Sequence, residues 1–284
     1  MKSSRIILIF TVALLAVSVS SIMARMIPEV PAVIISFWRL AVGGAVLWGY
    51  SALRPQASLT SSQRNTTRIA GLFLALHFIC FFGALKYTSV AHTTVLTATT
   101  PFFTALIERF ILKRPWNKGV ITGLLLAFAG VLIIQNGEVT SIAKNQVGNI
   151  LALLSGFWIA IVLILSERVR KKAGIVSYAR LLYTTAAVIL LALAVSMDTA
   201  LLPESNSAYI WLILLGLIPT VIGHTLFYYS VKFVSPTIVT AVPLGEPVLA
   251  SLLAFAFFSE AVGGLVIFGG LLTIFGLYIL ISRH

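Results

Sequence analysis

The sequence predicts an all-α integral membrane protein with ten transmembrane helices, arranged as two inverted five-helix repeats. Three observations predict this fold: the composition, a series of ten apolar runs, and a duplication that relates the two halves. The chain has 284 residues, of which 59% are hydrophobic and only 10% are charged. Soluble globular proteins carry about 25% charged residues. This chain therefore has too few charges to cover a water-facing surface, and we expect a lipid bilayer around it.

Each predicted span is an apolar run close to the ~20 residues that a transmembrane helix needs. The first run follows Lys2 and Arg5, as the apolar part of a signal peptide would, with a candidate cleavage position after Ser20. The repeat described below requires this run as a helix, so we expect it to be kept. In chain order the runs are 6–24, 31–53, 68–85, 90–112, 119–135, 147–166, 177–197, 208–231, 236–258 and 262–282.

The basic residues segregate to one side of these spans. The formal net charge is +12, which in a soluble protein would suggest nucleic acid as a partner. In a membrane protein, an excess of Lys and Arg in the short loops on one side instead indicates the topology. Here it places both termini in the cytoplasm. Arg25, Lys86 and Lys144 fall on the other side. Fourteen fall on the predicted cytoplasmic side: Lys2, Arg5, Arg54, Arg64, Arg68, Lys113, Arg114, Lys118, Arg168, Arg170, Lys171, Lys172, Lys232 and Arg283.

The second half of the chain repeats the first. Ser36-Phe37-Trp38-Arg39-Leu40 matches Ser177-Tyr178-Ala179-Arg180-Leu181 at an offset of 141 residues. From residue 86 onwards an offset of 146 relates the halves without a gap. The matched pairs are Lys86 and Lys232, Ser89 and Ser235, Thr94 and Thr240, Pro101 and Pro247, Gly123 and Gly269, and Gly130 and Gly276.

Five predicted spans in each unit make the repeat an inverted one. Because five is odd, the second unit enters the membrane from the opposite side. We place the first repeat at 1–136 and the second at 137–284. Inverted repeats recur among secondary transporters, whose substrate site lies near the middle of the membrane between the two halves.

These landmarks resemble the EamA-type members of the drug/metabolite transporter (DMT) superfamily. The resemblance rests on Gly-Ala-Leu-Lys-Tyr-Thr-Ser at 83–89, Gly-Glu-Pro at 245–247, Glu260, Arg39 and Arg180. It covers nearly the whole chain and implies the ten-helix transporter fold. The family includes exporters of amino acids and other metabolites, drug efflux systems, and some importers and exchangers. The sequence departs from the family pattern at Thr100-Pro101, where a Glu-Pro is often found, and at Arg114, where a carboxylate often closes the helix.

Charged residues inside the predicted spans are candidates for function, because each costs roughly 2.5–3.5 kcal/mol to place at the centre of a bilayer. Glu246 is the only carboxylate well inside a span, between Pro243 and Pro247. It is either a proton site or partner of a cationic substrate, or a structural partner of Arg39 or Arg180. The two arginines occupy equivalent repeat positions, which favours structural anchoring over ligand binding for this pair.

Two histidines are further candidates for proton coupling, together with Glu246. His77 with Phe81, and His224 with Tyr228, are each spaced to share one face of a helix. Histidine titrates near neutral pH and also binds carboxylates. The structural alternative for each is an interhelical hydrogen bond. His92 lies near the outer edge of its span and is at most a gate residue.

A threonine stripe marks one face of the fourth predicted span: Thr93, Thr97, Thr100 and Thr104. It either lines a cavity or serves helix packing. Glycines in the second, fifth and tenth spans predict close helix packing, either within one chain or at a dimer surface. The predicted substrate cavity comprises Trp38, Arg39, His77, Phe81, Thr97, Thr100, Trp158, His224, Tyr228 and Glu246.

The function that these features favour is secondary transport of small organic metabolites such as amino acids, in the export direction, by alternating access. The alternative is a facilitator or exchanger of anionic metabolites. The sequence has no phosphate-binding Gly-rich motif, no carboxylate pair and no metal-ligand cluster. We therefore expect no enzymatic activity, no cofactor and no metal. The expected partners are a small-molecule substrate and lipid, not nucleic acid, in a monomer or homodimer of the bacterial inner membrane.

Overall fold

The structure, a computed structural model, describes residues 3–88, 90–134, 146–249 and 264–282. Throughout these ranges the regular secondary structure is helical. Ser89, Lys144 and Glu260 lie outside them, as does the side chain of His92. The α-helices are α1 (Ser3–Ser18), α2 (Ser20–Arg25), α3 (Ala32–Leu53), α4 (Ser61–Tyr87), α5 (Val90–Thr97), α6 (Thr100–Leu106), α7 (Lys118–Ile134), α8 (Gln146–Arg170), α9 (Ile175–Ser196), α10 (Asn206–Leu215), α11 (Thr225–Ser230), α12 (Pro236–Ala241) and α13 (Gly264–Ser282). Two π-helical segments, Ile107–Ile111 and Gly216–His224, and one 3-10 turn, Val242–Gly245, continue some of these helices.

Within the described residues, seven helices are long and apolar enough to cross a membrane. They are Ser4–Arg25, Ala32–Leu53, Ser61–Tyr87, Gln146–Arg170, Ile175–Ser196, Asn206–Ser230 and Gly264–Ser282. The fifth predicted span is the shorter apolar helix α7. The fourth is broken into α5, α6 and a π-helical turn, and the ninth begins with α12 and a 3-10 turn before residues 250–263, which are outside the description. The count of ten spans and the side of the termini stay predictions.

Local sequence explains where several helices begin. Thr60 caps α4: its hydroxyl accepts the Gln63 N–H, and the Gln63 side chain accepts the Thr60 N–H. This reciprocal pair satisfies two backbone donors that the first helical turn leaves free. Pro31 precedes α3 and Pro236 begins α12, positions at which the missing proline N–H costs no helical hydrogen bond.

The closest helix contact is a glycine seam between α7 and α13, formed by Gly123, Gly130, Gly269 and Gly276. A Cβ atom on Gly123 would lie 2.6 Å from the Gly276 carbonyl oxygen, and one on Gly130 would lie 2.5 Å from the Gly269 carbonyl oxygen. These distances leave no room for a side chain. The glycines therefore bring the two helices together within one chain.

The glycine seam obeys the repeat. Gly123 corresponds to Gly269 and Gly130 to Gly276. The 146-residue offset therefore converts the contact between Gly123 and Gly276 into the contact between Gly269 and Gly130. The Thr273 hydroxyl donates to the carbonyl oxygen of Ala127, its own repeat equivalent, at 3.4 Å. The two equivalent helices thus run antiparallel about a local two-fold axis, as an inverted repeat requires.

A second pair of equivalent helices, α3 and α9, also packs antiparallel. The Arg180 guanidinium lies 4.3 Å from the centre of the Trp48 ring, and the Trp48 Nε1–H donates to Thr184 Oγ1 at 2.9 Å. A Cβ on Gly44 would lie 3.2 Å from the same Thr184 oxygen. These contacts hold the two halves together on either side of a central cavity.

Candidate functional site

A cavity with a volume of about 110 Å³ lies between the two repeats. This is room for several water molecules or a small solute. Residues of both halves line it: Val17, Ser20, Arg39, His77, Phe78, Phe81, Thr94, Thr97, Ala98 and Thr100 from the first, and Ile159, Leu163, His224, Phe227, Val239, Thr240, Pro243 and Glu246 from the second.

Two broken helices meet at this cavity, and they break at equivalent positions. α5 ends at Thr97 and α6 begins at Thr100, while α12 gives way to the 3-10 turn Val242–Gly245. Under the 146-residue offset, Thr97 corresponds to Pro243 and Thr100 to Glu246, and all four line the cavity. Discontinuous helices at the midplane are where transporters commonly bind substrates, because the break frees backbone groups.

Arg39 is the buried cation of the cavity, with 1% of its surface exposed. Its Nε donates to Thr220 Oγ1 at 2.8 Å and its Nη1 donates to Ser20 Oγ at 2.5 Å. The guanidinium carbon lies 4.3 Å from the centre of the Phe78 ring. Its Nη2 takes part in no hydrogen bond with any described residue, which leaves N–H groups free for an anionic or carbonyl group in the cavity.

A π-helical segment supplies the partner of Arg39. Gly216–His224 contains Pro219, which has no N–H to donate to the helix. The Thr220 hydroxyl donates to the Leu215 carbonyl oxygen at 2.9 Å, and the same hydroxyl oxygen accepts from Arg39. The Tyr183 hydroxyl donates to the Thr220 carbonyl oxygen at 3.1 Å. The wide turn therefore places Thr220 against Arg39 and brings His224 to the cavity wall.

Glu246 lines the cavity on the side of the second repeat. None of the ion pairs among the described residues includes it. The structural alternative, an ion pair with Arg39 or Arg180, is therefore not what the structure shows. Glu246 instead interacts with Arg39 electrostatically from a longer distance. The cavity thus holds a carboxylate and a guanidinium that are not directly paired.

The two predicted histidines come together at the cavity, with ring centres 6.3 Å apart. His77 Nδ1 lies 3.0 Å from the Ser155 carbonyl oxygen and 2.9 Å from its hydroxyl. With a protonated Nδ1 the ring donates to the carbonyl oxygen, and with an unprotonated Nδ1 it accepts from the hydroxyl, so Ser155 holds the ring in either tautomer. The predicted face-sharing pairs are present, with ring centres 6.2 Å apart for His77 and Phe81 and 6.0 Å for His224 and Tyr228.

The threonines of the stripe differ in their surroundings: some pack against another helix and others line the cavity. Thr104 is fully buried, and its hydroxyl lies 2.9 Å from that of Thr240 in the other repeat. The Thr100 hydroxyl donates to the Thr97 carbonyl oxygen at 2.6 Å. Thr97 Oγ1 is buried at the cavity wall without a hydrogen-bond partner in the described structure. Thr97 is therefore the hydroxyl of the stripe that is free for a ligand.

Three of the ten predicted cavity residues do not line the cavity. The Trp38 Nε1–H donates to the Leu201 carbonyl oxygen at 2.9 Å, and the Trp158 ring stacks on Phe73 with centres 5.5 Å apart. Tyr228 is fully buried behind His224, with its ring centre 5.9 Å from that of Tyr178. Each aromatic ring is held by partners distant in sequence, which its helical spacing alone does not reveal.

The structure also adds cavity residues that the sequence reasoning missed. Ser20, Phe78 and Phe227 line the wall, and Thr220 and Ser155 orient Arg39 and His77 from behind it. The repeat register contained a usable signal, because Thr94 and its equivalent Thr240 are both cavity residues, as are two further equivalent pairs described above. Arg180 lies away from the cavity, stacked on Trp48.

No group of three or more His, Cys, Asp or Glu side chains suited to a metal ion occurs among the described residues. The chemistry that the arrangement supports is reversible binding. Five groups face one small space walled by phenyl rings: a guanidinium, a carboxylate that no described residue pairs as an ion, two imidazoles, and a hydroxyl without a hydrogen-bond partner among the described residues.

Comparison with known proteins identifies the family. The sequence model of the EamA-like transporter family matches the chain twice, at residues 3–135 and 146–282. The pseudopaline exporter CntI of Pseudomonas aeruginosa is 24% identical over 268 residues, which cover 92% of each chain. YdfC of Bacillus subtilis, described as an uncharacterized transporter, is 25% identical over 204 residues, or 72% of this chain and 66% of YdfC.

A solved crystal structure has the same fold. It superposes with a TM-score of 0.80 over 97% of this chain and 96% of that one, at 18% sequence identity. The two family matches together cover nearly all of the chain, and each contains five of the predicted spans. The chain therefore belongs to the EamA-like transporter family of the DMT superfamily and is a multi-pass integral membrane transporter.

Proposed function

We propose that the chain exports small zwitterionic metabolites such as amino acids across a bacterial inner membrane. The observation that carries the proposal is the unpaired placement of Arg39 and Glu246 on one cavity. A zwitterion presents a carboxylate to the guanidinium and an ammonium to the carboxylate. It thereby compensates both desolvated charges at once, which neither a simple anion nor a simple cation does.

The same geometry supports alternating access. The cavity lies between two repeats that meet at helix pairs with local two-fold relationships. Two packings related by such an axis have similar energies, so each repeat can rock against the other and expose the cavity to either side. The pseudopaline exporter, at 24% identity, supports the export direction.

Proton coupling is the proposed source of energy, with Glu246, His224 and His77 as the groups that exchange protons. Substrate and proton compete for Glu246 if the carboxylate binds the substrate ammonium. The test is transport in proteoliposomes across a pH gradient. We expect Glu246→Gln to bind ligand weakly and to lose the dependence of transport on the gradient, while the protein stays folded. Proton-coupled transport that survives in this variant at the parental level would overturn the assignment.

The second candidate is a facilitator or exchanger of anionic metabolites. The residues that line the cavity favour it, because three of them are basic (Arg39, His77 and His224) and Glu246 is the one carboxylate among the described lining residues. A thermal-shift screen of amino acids, organic acids, polyamines and nucleosides distinguishes the two. A ligand at a hundredfold excess over its Kd stabilises the folded state by about 2.7 kcal/mol. Stabilisation by zwitterions that Glu246→Gln abolishes supports the first function, and stabilisation by anions alone supports the second.

A further inference from the structure

Away from the cavity, one arginine joins two buried carboxylates at the membrane surface that carries the basic loops. Arg114 Nη1 lies 2.5 Å from Glu108 Oε1, and Arg114 Nη2 lies 2.7 Å from Glu167 Oε2. The two carboxylate residues are 7% and 8% exposed. Such a fork, with one guanidinium nitrogen for each carboxylate, is a strong and directional arrangement.

The remaining oxygens of both carboxylates are also occupied. The Thr237 hydroxyl donates to Glu108 Oε2, and Lys171 Nζ lies 3.2 Å from Glu167 Oε1. Two positive charges therefore balance two negative ones. Partial burial lowers the pKa of the Arg114 guanidinium, but the hydrogen bonds and charges of Glu167 and Glu108 outweigh this and raise the pKa above its ordinary value. We call Glu108, Arg114, Glu167, Lys171 and Thr237 the ionic latch.

The backbone at the end of the fourth predicted span is shaped for this contact. Glu108 lies in the π-helical turn Ile107–Ile111, and Lys113 has a φ of 55°, a left-handed conformation uncommon for residues other than glycine. The Arg114 N–H then donates to the Glu108 carbonyl oxygen at 2.9 Å. The turn thus folds the chain back and fixes the arginine over the carboxylate of its own repeat.

The ionic latch crosses the boundary between the repeats. Glu108 and Arg114 belong to the first family match, whereas Glu167, Lys171 and Thr237 belong to the second. Two contacts make the crossing: Arg114 to Glu167, and Thr237 to Glu108. Motion of one repeat against the other at this surface must break both contacts.

The repeat provides no equivalent of these three residues at the opposite end of the molecule. Under the 146-residue offset, Glu108 corresponds to Ala254, Arg114 to Glu260 and Thr237 to Ala91. The acid and the hydroxyl donor are each replaced by a methyl group, and the arginine is replaced by an acid. The sequence therefore does not duplicate the set Glu108, Arg114 and Thr237 between the two repeats.

We propose that the ionic latch closes the transporter on the surface that carries the basic loops and sets its resting state with the cavity open to the other side. The inference rests on the alternating access proposed above, but it does not depend on the substrate. A buried ion pair adds little net stability, yet removing one partner leaves an uncompensated buried charge. Loss of Arg114 leaves Glu108 without a cationic partner and Glu167 with Lys171 alone, and opening this surface to water relieves both carboxylates.

The chain is well suited to an accessibility experiment, because Cys80 is its single cysteine. A Cys80→Ala background with Leu163→Cys places one thiol on the cavity wall, four residues before Glu167 on α8. The full-length protein is reconstituted in liposomes without substrate. A membrane-impermeant maleimide is added from one side at a time, and an Arg168→Cys protein identifies the side of the latch.

We expect Arg114→Gln to speed labelling of residue 163 from the latch side by roughly fivefold or more, the usual lower range of a conformational coupling. Labelling from the opposite side should slow. Glu167→Gln and Thr237→Val, each of which weakens one of the two contacts between the repeats, should act in the same direction. They keep the proposal testable if Arg114→Gln does not fold.

The matched control is Arg168→Gln, which removes an exposed positive charge next to Glu167 without touching the latch. Its labelling rates should equal those of the background protein. Equal rates for Arg114→Gln, Glu167→Gln and Arg168→Gln from the latch side would overturn the proposal. The labelling needs no substrate, so a latch effect in a protein that ignores every zwitterion would support the latch and contradict the proposed substrate class.

Discussion

The Nε–H of Arg39 donates to the hydroxyl of Thr220 at 2.8 Å, across 181 positions of sequence and from one repeat to the other. The bond ties the buried cation of the cavity wall to a π-helical turn of the second repeat. The position of the guanidinium, and therefore of any carboxylate bound to it, depends on a residue that does not line the cavity.

We expect Thr220→Val to destabilise the protein by about 1–3 kcal/mol, because it leaves a buried charged donor without its acceptor. The measurement is thermal or denaturant unfolding in detergent, followed by tryptophan fluorescence. Thr11→Val is the control, since that exposed hydroxyl bonds only a carbonyl of its own helix. Equal stability of the two variants would show that Thr220 does not hold Arg39.

The repeat-equivalent arginines should respond differently to the same substitution. Arg39 lines the cavity, whereas Arg180 stacks on Trp48 between α3 and α9. We expect Arg39→Gln to weaken ligand binding by about tenfold or more, which corresponds to ~1.4 kcal/mol. Arg180→Gln should leave binding unchanged. Ligand-induced thermal shifts of the two variants measure the difference, and similar losses in both would contradict the assignment.

The glycine seam should tolerate no side chain. A Cβ on Gly130 would lie 2.4 Å from Thr273 Oγ1 and 2.5 Å from a backbone oxygen. Overpacking of this kind costs about 1–3 kcal/mol, so Gly130→Ala should lower the unfolding temperature. Gly49→Ala, with nothing within 4 Å, is the matched control and should be neutral or stabilising by up to about 1 kcal/mol. If Gly130→Ala is as stable as Gly49→Ala, the helices are not in contact there.

Substitutions of two threonines in the same stripe should have different effects, one on the stability of the protein and the other on ligand binding. Thr104 shares a buried hydrogen bond with Thr240, so Thr104→Val should cost about 1 kcal/mol of stability. Thr97 Oγ1 is buried without a partner in the described structure, so Thr97→Val should leave stability equal or higher and weaken ligand binding. Unfolding and ligand titration of both variants test this contrast. A loss of stability in Thr97→Val with unchanged binding would exclude the hydroxyl as a ligand group.

Sequence reasoning singled out the charged and imidazole groups of the cavity because membrane burial makes polar residues conspicuous. Arg39, His77, His224 and Glu246 lie inside apolar runs, and their side chains converge at one cavity. Trp38, Trp158 and Tyr228 were misplaced because an aromatic ring suits a cavity wall and a packed core equally. What distinguishes the two is a partner such as Leu201 or Phe73 in a different part of the fold.

The sequence did not predict the ionic latch, for a different reason. Glu108 and Glu167 lie at the ends of their helices, where a charged side chain costs little free energy because it is far from the bilayer centre. Neither residue is therefore conspicuous in the sequence. In the sequence, Arg114 is a basic loop residue and a departure from the family pattern, and neither feature indicates an ion pair. Its role becomes visible once α8 and α12 are seen to bring Glu167 and Thr237 beside it. The break between α5 and α6, by contrast, has a sequence signal, because Pro101 at the start of α6 has no N–H to donate to the Thr97 carbonyl oxygen.

The seam between α7 and α13 has the pattern of contacts found between identical subunits. When residue i of one half touches residue j of the other, the equivalent of j touches the equivalent of i, as in any dimer with two-fold symmetry. Each half therefore carries a complete, self-complementary surface, and a five-helix polypeptide could pair with a second copy of itself through the same contact. Separately expressed halves, divided between the two family matches, should find one another in the membrane without a covalent connection.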